Sequence, residues 1–230
     1  MFHPSLVEYG RFYQELFAGI ASYDQLGNRL IRLGERAHAF RQFDKVKEVG
    51  QFLSHIPIKN YQAIGHYFLA VAANNKGNGN QHAARKLYEI AAETAPSQYK
   101  AKAILSLAAV SFNTGDFQAA SYYYRDAIKA GRLNIVSLQA IRGMALLKSI
   151  EGYHHHALKD LESLLPIAKY VPAQIYFDYL NSFAVELGIV GRKQEARNIS
   201  PHRPPSSRFS ASSLGSAFGR FFHLYQFHIT

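Results

Sequence analysis

The chain contains no cysteine and no tryptophan. Without cysteine there are no disulfides, no thiolate zinc sites and no cysteine nucleophiles, a composition that fits a reducing compartment. No run of about 18 apolar residues occurs, so a membrane span is not expected. The opening Met1-Phe2-His3-Pro4-Ser5 lacks the basic-then-apolar pattern of a signal peptide. Acids are scarce: 16 Asp and Glu stand against 26 Lys and Arg, a formal net charge of +10. A field of that sign favours encounter with acidic partners, nucleic acid among them. The charge is uneven, because Arg203, Arg208 and Arg220 lie in a C-terminal stretch without acids while the remainder mixes signs. A soluble, cytoplasmic chain is the expectation.

What the sequence does have is a hydrophobic fraction of 48%, ample for a continuous core, and one pattern that recurs five times. It is clearest at Ile104, Leu107, Ala108, Gly115, Asp116, Ala120, Tyr124 and Ala127. Two helical runs are separated by a glycine-containing turn, with small residues where the helices must touch. Gly34, Ala72, Ala108, Ala145 and Ala184 share one position on the first helix, and Ala84, Ala120, Ala157 and Ala196 share one on the second. A small side chain at both points lets helix axes approach closely. The spacing predicts hairpins beginning near 27, 65, 101, 138 and 177. Residues 1–26 read as an opening helix, with Leu6, Tyr9, Phe12, Tyr13, Leu16, Phe17 and Ile20 at helical spacing. Residues 199–230 read as a Pro/Ser/Arg-rich, poorly ordered tail with an aromatic end.

These residues resemble the tetratricopeptide repeat family. The matches are Leu33-Gly34, then Ala84, Tyr88, Ala91 and Pro96, then Ala120, Tyr124 and Ala127, and the resemblance covers about residues 27–198. Departures are the missing tryptophan, Val46 where alanine is usual, and spacings above the family's 34. The resemblance implies an all-α, right-handed α-solenoid of about five hairpins, whose first helices line a concave groove. Carried onto this chain, the groove positions are Ile31, Leu69, Ala73, Lys102, Leu105, Ala109, Phe112, Arg142, Leu146, Asn181 and Val185. With leucines at 69 and 105, the groove suits a helix or an extended peptide with hydrophobic anchors rather than a carboxylate clamp.

Nothing in the sequence reads as a catalytic site. Three consecutive histidines, His154-His155-His156, point about 100° apart on a helix and do not converge as metal ligands do. The stretch Asn74-Asn75-Lys76-Gly77-Asn78-Gly79-Asn80 lacks the Gly-Lys-Ser/Thr ending of a phosphate loop. Glu89 and Glu93 are flanked by Arg85 and Lys86, as in exposed helix pairing. The expectation is a non-catalytic scaffold with a protein or peptide ligand and no cofactor or metal. The second reading is a basic helical-repeat protein for single-stranded RNA, which needs polar side chains recurring at matched positions. Ile31, Leu69, Leu105, Arg142 and Asn181 show no such recurrence.

Overall fold

The computed structural model describes residues 10–11, 14–15, 18–19, 22–75, 80–131 and 135–199. Among them every regular element is a helix. The order is α1 (Tyr23–Ala39), α2 (Phe43–His55), α3 (Lys59–Asn75), α4 (Gln81–Thr94), α5 (Ser97–Asn113) and α6 (Phe117–Gly131). Then come α7 (Ile135–Ile150), α8 (His154–Glu162), the short α9 (Leu165–Ala168), α10 (Ala173–Ile189) and α11 (Lys193–Ile199). The first helices α1, α3, α5, α7 and α10 begin 36–38 residues apart. Each starts three to six residues before the position that the sequence spacing gives.

The caps follow from the local sequence. Ser22 accepts from the Gln25 amide at 3.2 Å while the Gln25 side chain accepts from the Ser22 amide at 3.0 Å, a reciprocal box that starts α1. Asn80 caps α4 through the Ala83 amide at 3.0 Å, and Asp116 caps α6 through the Ala119 amide at 3.1 Å. Four of the turns within pairs share one backbone geometry. Arg41, Gly115, Gly152 and Gly191 all take positive φ, at 57°, 80°, 84° and 87°. The next amide in each, that of Gln42, Asp116, Tyr153 or Arg192, bonds back to the carbonyl of Ala37, Ser111, Lys148 or Leu187. This is the 6→1 closure that satisfies a helix's last carbonyls.

The chain divides into two compact units, Met1–Ala103 and Ile104–Thr230. In the first, α2 packs between α1 and α3, and α4 packs on α3. Gly34 is buried, and a Cβ there would lie 2.8 Å from Phe68. Gly50 of α2 and Gly65 of α3 bring backbone against backbone: a Cβ on Gly65 would meet the Gly50 carbonyl at 2.8 Å and the Ser54 amide nitrogen at 2.7 Å. Gly27 gives up its side-chain space to the ring of Tyr61, whose hydroxyl donates to Asp24 Oδ1 at 3.0 Å.

In the second unit the core gathers Leu138 and Ala145 from α7, Ala157, Leu158 and Leu161 from α8, and Tyr179, Phe183 and Leu187 from α10. The repeated alanines Ala108, Ala120, Ala145, Ala157 and Ala184 are all buried. Gly143 of α7 is covered by the Tyr124 ring of α6. The last second helix, α11, has no fully buried residue, with Ala196 and Ile199 partly packed on the core.

Of the opening helix expected over 1–26, residues 10–11 and 14–15 are helical, and Tyr23 onward belongs to α1. Leu6, Tyr9, Phe12, Tyr13, Leu16, Phe17 and Ile20 lie outside the described residues, as do 76–79 of the Asn/Gly stretch and 200–230 of the tail.

Candidate functional site

The first helices carry the positions that the family resemblance assigns to a groove, and each unit arranges its own share. In the first unit Ile31, Leu69, Ala73 and Lys102 are all half-buried. Leu69 lies over the second helix α2, with its Cγ and amide nitrogen both 2.9 Å from where a Gly50 Cβ would stand. Lys102 is engaged within its unit: its Nζ is 3.1 Å from Glu35 Oε1 and 4.7 Å from the centre of the Tyr99 ring.

That ammonium belongs to a cluster which sequence reasoning did not find. The Tyr99 hydroxyl donates to the same Glu35 Oε1 at 2.8 Å. Beneath it Tyr67 meets Tyr99 edge to face at 5.5 Å, and Phe68 does so at 6.1 Å. Burial pushes the Tyr67 and Tyr99 hydroxyls well above their ordinary range, and the Glu35 carboxylate pushes them further. His38 is pulled down by burial and then by Lys102, against the opposing pull of Glu35. The aromatics were visible as an i, i+1 pair and a lone tyrosine. Only the approach of α1 to the start of α5 makes them one cluster.

In the second unit Leu105, Ala109, Arg142, Leu146 and Val185 are half-buried and Asn181 is exposed. Phe112 is different: it is 1% exposed and packs its ring 5.6 Å from Phe117. It is core, because the tight turn at Gly115 folds α6 back onto it. Arg142, with a side chain 14% exposed, donates from Nε to the Ser182 hydroxyl at 2.9 Å and has Asp178 at 3.9 Å. Burial lowers the Arg142 pKa, while Asp178 and then Tyr124 raise it. The Tyr124 hydroxyl is buried without a hydrogen-bond partner among the described residues, and burial holds it in the neutral form. Asp178 also accepts from Gln174 at 3.1 Å.

The three histidines separate as their helical spacing requires. His154 Nδ1 sits 3.1 Å from Glu186 Oε2, a carboxylate in a residue only 5% exposed, and 3.4 Å from the Ser149 hydroxyl. His155 and His156 are exposed. Asp160 pairs with Lys148 at 2.6 Å, and Glu89 pairs with Arg85 at 3.3 Å. Among the described residues no group of three or more His, Asp or Glu side chains is placed to hold a metal ion, and no helix is long and apolar enough to cross a membrane.

Comparison with protein-family models, with curated proteins and with solved structures finds no match to this chain.

Proposed function

We propose that the helical pairs are tetratricopeptide-type repeats, stacked as a right-handed α-solenoid, and that the chain is a non-catalytic, cytoplasmic scaffold for a peptide or helix. One observation carries this: each first helix of the second unit leaves apolar side chains half-covered. Leu105 and Ala109 do so on α5, Leu146 on α7 and Val185 on α10, with exposed Asn181 one turn before Val185. Burying such half-covered surface stabilises a complex by about 25 cal/mol per Å², offset by the cost of ordering the ligand. Arg142, anchored on Ser182 and facing Asp178 at 3.9 Å, is a fixed guanidinium whose remaining N–H groups would orient a bound segment.

The test is affinity capture with the full chain beside Leu105→Glu/Leu146→Glu, with and without nuclease. Both leucines are half-buried, so circular dichroism checks that the variant keeps its helicity. A protein ligand retained by wild type and lost from the folded variant supports the proposal. Equal retention by the folded variant removes these faces from the interaction.

A further inference from the structure

We propose that the outward face of α1 binds the sugar-phosphate backbone of a single-stranded nucleic acid. The proposal goes beyond the scaffold function and uses a different surface, in the first unit. At 3.6 residues per turn, Arg29, Arg32 and Arg36 fall within about 60° of one another and opposite Gly34, which is buried against Phe68. All three arginines are exposed. Arg29 already holds Glu15 at 3.1 Å, whereas Arg32 and Arg36 make no ion pair among the described residues. Apart from Glu15, which neutralises Arg29, no acid of α1 itself shares this arc. Asp24 receives the Tyr61 hydroxyl, and Glu35 turns aside to Tyr99 and Lys102.

The residue types select the partner. Guanidinium groups present planar forks that match phosphate oxygens, and they bind phosphate while remaining solvated. An apolar protein surface laid on the same stripe would strand these charges out of water. One exposed aromatic, Phe40 at 72% exposure, follows the C-terminal end of the helix on the side of the arginines. Aromatic faces beside a basic track are what unpaired bases stack on, which favours a single strand over a duplex. Binding of this kind reads the backbone, so it needs no polar residue recurring from repeat to repeat.

The experiment is fluorescence anisotropy of a short labelled oligouridine with the full chain, from about 50 to about 200 mM salt. Wild type is expected to bind, and Arg32→Ala/Arg36→Ala to bind about tenfold more weakly. The slope of log affinity against log salt should fall by about 1.4 in that variant, since each phosphate contact on a single strand contributes about 0.7. Arg32→Lys/Arg36→Lys should keep the slope, and Phe40→Ala should weaken binding by about threefold with the slope unchanged. Absence of binding by wild type overturns the proposal. So does a folded double variant within about twofold of wild type, which would move the contact to other cations. Equal, substitution-sensitive binding of polyglutamate or of anionic vesicles would also overturn it, by showing a surface for polyanions in general.

Discussion

Glu35 and Tyr99 stand 64 residues apart in sequence and are joined by a 2.8 Å hydrogen bond, with Lys102 completing the contact at 3.1 Å. The bond ties the first helix of the first pair to the start of α5, over the rings of Tyr67 and Phe68. Glu35 is partly exposed, so water competes for the carboxylate, and Tyr99→Phe is expected to cost about 1 kcal/mol. A urea titration of the two chains measures it.

Alkaline pH should unfold the protein. Tyr67, Tyr99, Tyr124 and Tyr179 all have hydroxyls pushed above the ordinary tyrosine range by burial. A pKa raised in the folded state favours the protonated form there. The associated stability is present below the unfolded value of about 10 and is lost as pH rises beyond it. Stability measured from pH 8 upward should stay level and then fall steeply above about pH 10. Tyr67→Phe should make that fall shallower by about one proton.

Substituting alanine for Gly65 should destabilise the first unit by about 1–3 kcal/mol. The new Cβ would face the Ser54 amide nitrogen and the Gly50 carbonyl, both backbone atoms that cannot rotate away. Chemical denaturation gives the loss directly, and a loss below about 0.5 kcal/mol would mean that the two helices separate freely.

Arg41 is the non-glycine member of the four equivalent turns, at φ 57°. Left-handed backbone costs a residue with a Cβ about 1–2 kcal/mol, partly balanced by the unfolded-state freedom of glycine. Arg41→Gly is therefore expected to stabilise by about 0.5–1 kcal/mol, and Gly115→Ala to destabilise by about 1 kcal/mol. Thermal melts of the two variants should move in opposite directions.

His154→Ala should cost about 2–3 kcal/mol, because it leaves the buried Glu186 carboxylate without its imidazole partner. Adding Glu186→Gln should restore part of the loss. A denaturation-based double-mutant cycle at neutral pH separates the coupling from the packing.

The helical pairs were legible because small residues mark contact points whatever surrounds them: Ala84, Ala120 and Ala157 are each wholly buried. Gly115-Asp116 likewise announced both the turn and the cap. The turn at Arg41 was hidden, since an arginine gives no sign of positive φ. Leu69 shows why side-chain placement was harder. Counting along the family pattern assigns it to a groove; it is half-buried, and Gly50 and Gly65 bring it close against α2, an approach that no spacing along the chain reveals. The Glu35–Tyr99–Lys102 cluster depends on how far α1 leans toward α5, a quantity set by helix packing and written in no single segment.

Among the described residues, α11 is held differently from every other second helix. It has no fully buried residue, and beside the partial packing of Ala196 and Ile199 it is tied by the Arg192 guanidinium just before its start, which spans Glu195 at 2.6 Å and Glu162 of α8 at 2.7 Å. Charges at such partly exposed positions are screened by salt over a Debye length of about 8 Å at physiological ionic strength. Attachment of this last helix is thus a function of the surrounding electrolyte, and its amides should exchange with deuterium faster as salt is added while those of α8 keep their protection.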